Sequence, residues 1–135
     1  MRLLSPKPTH AAQALFVRAC IEAQELSLGV GVEHLLLVCA VYGALDADPE
    51  EIRDWIVADE RDALASLGIS LETVRGELDE RFGSNGCGLP VSPEAKRMLE
   101  LASRRRRSVT AEQLLATLRA HSTTARRMLR ELEQR

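Results

Sequence analysis

The chain has 135 residues, 45% of them hydrophobic and 28% charged, with a formal net charge of −2. This length suits one domain that folds without disulfides or metals, and the composition excludes a disordered chain. The slightly negative net charge provides no overall positive field to attract nucleic acid. Only 3% of the residues are aromatic, and Leu and Ala outnumber Val and Ile, which favours helices over a β-sandwich or barrel.

Cysteine usage and hydropathy predict a cytoplasmic protein. The three cysteines are odd in number and show no Cys-x-x-Cys spacing, which indicates reduced thiols. Cys20 and Cys39 lie in apolar stretches and are expected in the core, whereas Cys87 lies in a Gly-rich stretch and is expected to be exposed. The N-terminus has no secretory signal pattern, and no apolar run is long enough to span a membrane.

Helical periodicity begins after a lead-in over residues 1–8 that contains two prolines. Thr9 is placed to cap a first helix, whose apolar residues recur every three or four positions. Gly29 and Gly31 are predicted to end that helix. A second helix from about Val32 is apolar on nearly all sides, which predicts a central position in the fold.

The next two helices also have start and stop signals. Asp48 as a cap, followed by Pro49, predicts a helix start, and the apolar pattern then indicates one bent helix or two short ones. Gly68 closes this region. Ser70 is then placed to cap a helix that ends at Phe82.

The strongest chain break is the Gly-rich segment 83–88, with three glycines in six residues. Beyond it, Ser92 followed by Pro93 predicts a helix start, a Thr-x-x-Gln capping box begins at Thr110, and a last helix runs from about Ser122. The patterns predict an all-α fold of seven or eight helices with no strand.

The chain also contains an internal repeat. The pattern of residues 9–19 recurs at 92–102, and that of residues 31–36 recurs at 110–115. Two four-helix units that cannot bury their apolar faces separately are expected to pack as one bundle with pseudo-two-fold symmetry. The predicted organisation is a lead-in over 1–8 and one domain over 9–135, made of repeat one at 9–82, a linker at 83–88 and repeat two at 89–135.

These motifs resemble the N-terminal repeat domain of the ClpA and ClpC class of AAA+ unfoldases. The resemblance is carried by GVEHLLL at 31–37, LGISLETVR at 67–75 and VSPEAKRMLELA at 91–102. Val32 replaces the usual Thr, and an insertion at about 46–58 brings in Trp55. No Gly-x-x-x-x-Gly-Lys-(Ser/Thr) loop occurs, so we expect a stand-alone recognition domain without the ATPase, the alternative being a fragment of a longer protein.

The resemblance to ClpC implies two sites for the guanidinium of phosphorylated arginine. They would use Glu33 and Glu112, with Thr9 and Ser92 beside them at helix starts. Carboxylates form paired charge-assisted hydrogen bonds with guanidinium groups, and helix N-termini favour phosphate. The alternative is that each glutamate only stabilises the first turn of its own helix.

Other residues have structural interpretations next to functional ones. His10, His34 and His121 lack ligand spacing for a metal, and His34 is expected to make a structural hydrogen bond at its helix start. Trp55, Tyr42 and Phe82 either line a peptide groove or, for Trp55 and Phe82, pack in the core.

The sequence therefore predicts a non-catalytic module that binds protein or peptide substrates or adaptors and needs no cofactor. By resemblance, it would act on a Clp protease in trans, with a Clp ATPase as a possible partner. Two alternatives stay open: a decoy for cyclic peptide antibiotics, and a nucleic-acid-associated regulator that uses the arginines at 104–107. The acidic balance and few aromatics argue against nucleic acid.

Overall fold

The computed structural model describes residues 11–66, 68 and 89–134, and this part of the chain is all-helical. It contains six α-helices and no strand, apart from an isolated parallel bridge between Val30 and Val91. No helix in the described ranges has the length and apolar character needed to cross a membrane. The helices are α1 (Gln13–Leu26), α2 (Val32–Val41), α3 (Pro49–Ala65), α4 (Pro93–Ser103), α5 (Ala111–His121) and α6 (Thr123–Glu133).

Four predicted helix starts are confirmed by their capping hydrogen bonds. In α3 and α4 a proline follows the cap in the first turn, where its missing N–H costs nothing. At Thr110 both halves of the capping box form with Gln113. The capping side chains and their backbone N–H donors are Asp48 with Glu50 at 3.0 Å, Ser92 with Ala95 at 3.1 Å, Thr110 with Gln113 at 3.2 Å and Ser122 with Ala125 at 3.0 Å.

One helix boundary differs from the prediction, and one open alternative is decided. Helix α1 ends at Leu26, before Gly29, because Ser27 is extended and its hydroxyl bonds to a buried histidine instead of continuing the helix. The region after Pro49 is one helix, since no Gly or Pro interrupts it and Ile52 and Ile56 are both buried one turn apart.

Several predicted features fall outside the described residues. These are the cap at Thr9, the helix from Ser70, the Gly-rich linker at 83–88, Cys87 and Phe82.

Helix α2 is the centre of the described core, as its apolar pattern predicts. It contacts all five of the other helices, and every residue from His34 to Ala40 is buried. Cys20 and Cys39 are buried, as predicted. The Cys39 thiol donates to the Ala111 carbonyl at 3.6 Å, and burial raises the pKa of this thiol to about 12, so it stays protonated.

A buried carboxylate fastens α3 to α1. Glu22, on α1, has only 4% of its side chain exposed and accepts from two arginines. Arg53 of α3 donates through two nitrogens, at 2.8 and 3.0 Å, and Arg18 donates at 2.9 Å from one turn earlier on α1. The hydrogen bonds from Arg53 are the largest cause of a lowered Glu22 pKa. Arg53 also pairs with Glu50, one turn earlier on α3. Its guanidinium therefore links two turns of α3 to α1.

We expect Glu22→Gln to lower the free energy of unfolding by about 1.5–3 kcal/mol, because the arginines lose a charge-assisted acceptor in a site with little water. Chemical denaturation at pH 7 measures the change. The matched control is Glu51→Gln, an exposed position on α3, which should stay within about 0.5 kcal/mol of the wild type. Equal effects of the two substitutions would contradict the role assigned to Glu22.

Candidate functional site

An open groove of about 830 Å³ lies between the helices α3 and α6. The loop segments 28–31 and 90–93 form its base. Buried side chains line it at Val30, Ile56 and Met128, with polar groups around them. Apolar surface with a few placed polar groups is typical of binding sites. We call this feature the α3–α6 groove.

A short parallel contact builds the base of the groove. The Val30 N–H donates to the Pro90 carbonyl at 2.8 Å, and the Ser92 N–H donates to the Val30 carbonyl at 2.8 Å. A side chain at Gly29 would meet the Pro90 carbonyl oxygen at 2.9 Å, so glycine permits this close approach. The contact places the start of α2 beside the start of α4.

His34 holds the loop before α2 in place. The buried ring accepts the Gly31 N–H at Nδ1 over 2.9 Å, so its Nε2 carries the proton and donates to the Ser27 hydroxyl at 2.8 Å. Burial lowers the His34 pKa to about 4, so the ring is neutral at pH 7. The contact of Glu33 with Nδ1 at 3.5 Å is therefore not an ion pair. The predicted structural hydrogen bond of His34 is confirmed.

Glu33 lies at the edge of the groove with its carboxylate folded back towards its own backbone N–H. Its side chain is 35% exposed. Burial raises the pKa of this carboxyl, and the charges of Asp59 and Glu94 raise it further. A side chain at Gly31 would collide with the Glu33 carboxylate, so the absence of a Cβ there gives the carboxylate its position.

The structure brings together two of the four predicted site residues. Glu33 and Ser92 both line the α3–α6 groove, although they lie in different predicted repeats. Glu112 is exposed in the first turn of α5 and does not line this groove. Thr9 lies outside the described residues. Trp55 packs against the core and also lines the groove, so it combines the two roles that the sequence left open.

Sequence reasoning missed most of the charged groups around the groove. Asp59 and Glu60 of α3 and Glu131 of α6 line it without having been predicted, whereas Arg127 of α6 belongs to a set of arginines that the sequence offered for an acidic partner or a phosphate. Glu60 accepts the Leu28 N–H at 2.8 Å, which ties α3 to the base loop. These positions belong to no motif and look like ordinary solvated helix residues. The available signal was a four-residue spacing, of Asp59 from Trp55 on α3 and of Glu131 from Arg127 on α6.

The arginine run at 104–107 follows α4 and does not continue it. All four residues are exposed, and Arg105 adopts a positive φ of 59°. Arg106 donates to the Ala102 carbonyl at 2.6 Å and so caps the end of α4. The four arginines therefore form a solvated end of this helix.

Comparisons with known proteins gave no match to a family model, a curated protein or a solved structure. Within residues 11–66, 68 and 89–134, no cluster of three or more His, Cys, Asp or Glu residues has the geometry to hold a metal ion.

His34 should make stability fall in mild acid. Its pKa is lower in the folded protein than in the unfolded chain, so the stability it contributes is full above about pH 6.5 and is lost as the pH falls towards 4. We expect this contribution to be about 1 kcal/mol smaller at pH 5.5 than at pH 7.5, measured by urea unfolding. His34→Gln should remove this loss, because the glutamine amide does not titrate. The amide still offers an acceptor for the Gly31 N–H and a donor for the Ser27 hydroxyl. The exposed control His121→Gln should leave it unchanged.

Gly31→Ala should displace the Glu33 carboxylate without distorting the backbone, since Gly31 has an extended conformation with φ of −120°. We expect the Glu33 pKa to fall towards its ordinary value as the group moves into water, with a stability change under about 1 kcal/mol. Carboxyl-carbon NMR titration measures this pKa. Gly29→Ala should destabilise the protein more than Gly31→Ala does, because the added methyl group would collide with the Pro90 backbone and not with a flexible side chain. An unchanged Glu33 pKa in Gly31→Ala would refute the steric argument.

Proposed function

We propose that this protein is a non-catalytic recognition module that binds protein or peptide segments in the α3–α6 groove. The observation that carries the proposal is that Glu33 and Ser92, selected from separate sequence motifs, line one groove. The module would resemble the N-terminal domain of Clp unfoldases in architecture. It would deliver clients to a Clp protease or compete for them.

The charges of the groove support recognition of a guanidinium group. Among the described residues that line it, four are carboxylates, Glu33, Asp59, Glu60 and Glu131, and one is a cation, Arg127. Carboxylates bind guanidinium groups through paired charge-assisted hydrogen bonds. The raised pKa of Glu33 fits a carboxylate that is short of cationic partners.

Helix starts around the groove support recognition of a phosphate beside that guanidinium. The starts of two helices line it, at Gly31 before α2 and Ser92 before α4, whereas at the start of α6 the Thr124 hydroxyl already donates to Glu94 at 3.0 Å. Helix N-termini carry partial positive charge and favour anions. Arg127 adds a full positive charge on the α6 side. A phosphorylated arginine, with both charges on one side chain, fits this combination.

We also propose that the two halves form a pseudo-symmetric tandem repeat. Two hydrogen-bonded contacts cross between the halves and support it. The loop before α2 reaches the entry to α4 through Val30 and Val91, and the loop before α5 reaches the entry to α1 through the Val109 N–H, which donates to the Ala11 carbonyl at 2.9 Å. The donors Val30 and Val109 occupy matching positions in the repeat alignment, whereas the acceptors Pro90 and Ala11 differ in register by four residues.

The same symmetry would place a second site at Glu112 and Thr9. The contact of Val109 with Ala11 brings the segment before Glu112 near the chain that follows Thr9. Glu112 is exposed and available to a ligand.

Titration of labelled protein with phosphoarginine, followed by NMR, tests the proposal. We expect saturable shifts of the Glu33 and Ser92 amides, with a weaker response to free arginine and none to phosphoserine. Glu33→Gln should weaken binding about tenfold or more, since a charged hydrogen-bond acceptor is lost. Glu51→Gln, an exposed α3 position outside the groove, is the matched control and should bind as the wild type does.

Glu112→Gln separates the two sites, because it should remove only shifts near α5 and leave those at Glu33. The absence of any shift at millimolar phosphoarginine would contradict phosphoarginine recognition. Shifts that persist unchanged in Glu33→Gln would contradict the assignment of the site to this groove.

A further inference from the structure

The dimensions of the α3–α6 groove exceed those of a single side chain. On α3 its lining runs from Trp55 to Ala63, and on α6 from Thr124 to Glu131. At 1.5 Å per helical residue these walls are about 10–12 Å long. An extended chain advances about 3.3 Å per residue, so the groove accommodates three to four residues of a bound segment.

The carboxylates extend along the groove beyond Glu33. Glu33 and Glu60 lie near the base and are engaged by the protein's own backbone N–H groups, that of Glu33 itself and that of Leu28. Asp59 and Glu131 are exposed on the two opposite walls, and neither has an ion-pair partner among the described residues. A ligand with one cationic group leaves part of this negative charge uncompensated.

An apolar strip lies among these charges. Val30, Ile56 and Met128 lie beneath its surface, and the partly buried Leu28, Trp55 and Val91 supply its accessible apolar area. Apolar surface in a groove favours an apolar side chain of the ligand, because its burial releases water. The aromatic ring also favours a cationic group nearby.

Part of the α3 wall lies in a segment that has no counterpart in the second predicted repeat. Trp55 lies in the segment 46–58, which interrupts the internal repeat, and Asp59 follows directly. Glu22 and Arg53 fasten this helix to α1, so the wall is held in a fixed position. The groove therefore has one wall without a symmetric counterpart.

We infer that the groove selects an extended segment of a partner protein with a cationic, an apolar and a second cationic side chain in succession. This inference rests on the proposed function, that the groove recognises protein segments. Glu33 and Glu60 bind one cation near the base, the apolar strip binds the middle side chain, and Asp59 and Glu131 bind the second cation.

Trp55 is the only tryptophan of the chain, so its fluorescence reports occupation of the groove directly. The probes are the blocked tripeptides acetyl-Arg-Leu-Arg-amide, acetyl-Arg-Gly-Arg-amide, acetyl-Gly-Leu-Arg-amide and acetyl-Glu-Leu-Glu-amide. We expect the first to bind about fivefold more tightly than the second or third, and the acidic peptide not to bind. Binding of the first should weaken from 50 to 300 mM salt, because exposed charge pairs are screened.

The double variant Asp59→Asn with Glu131→Gln should erase the advantage of Arg-Leu-Arg over Gly-Leu-Arg. The matched control, Glu51→Gln with Glu133→Gln, removes two exposed charges outside the groove and should keep it. Amide shifts at Gly29 and Gly31 give a second readout that does not depend on the tryptophan. Thermal unfolding of both double variants shows that the fold is kept.

The outcomes separate this inference from the proposed function. Phosphoarginine shifts at Glu33 without a preference for Arg-Leu-Arg would overturn the inference and leave the recognition function standing. Equal binding of the acidic peptide, or an advantage that survives in the Asp59 and Glu131 double variant, would also overturn it. If neither the tripeptides nor phosphoarginine produced a response, both the inference and the proposed recognition function would be contradicted.

Discussion

The two hydrogen bonds of the buried His34 ring are the constraint on which the groove depends. Helix α2 is otherwise apolar where it is buried, so a ring with an unsatisfied nitrogen there would destabilise the fold. The ring meets this need with the Gly31 N–H and the Ser27 hydroxyl, which fixes the loop between α1 and α2. That loop then positions Val30 against Val91, and with it the base of the groove.

The groove itself arises because α3 is held away from α6 while both pack on the same core. Helix α3 contacts α1 and α2, and α6 contacts α2 and α5. Glu22 fixes α3 from the α1 side through Arg53, and Glu60 fixes it from the loop side through the Leu28 N–H. The space between these helices is lined by an excess of carboxylates, so the electrostatics that the fold creates there favour a cationic partner.

Much of the fold could be predicted because its signals are local. A capping side chain lies two or three residues from the N–H that it accepts, so Asp48, Ser92, Thr110 and Ser122 mark their helices without knowledge of the rest of the chain. The central position of α2 follows from its apolar residues on all sides, since a helix with no polar face must be covered by others.

The sequence by itself thus determined the all-helical class, most helix starts, the burial of α2 and the structural role of His34. Only the tertiary structure decided that Glu33 shares a groove with Ser92 and that Glu112 does not line it. It also decided that Asp59 and Glu131 face the same space. These relations depend on the packing of helices that are distant in sequence, and an exposed carboxylate on a helix carries no local signal of the wall it will meet.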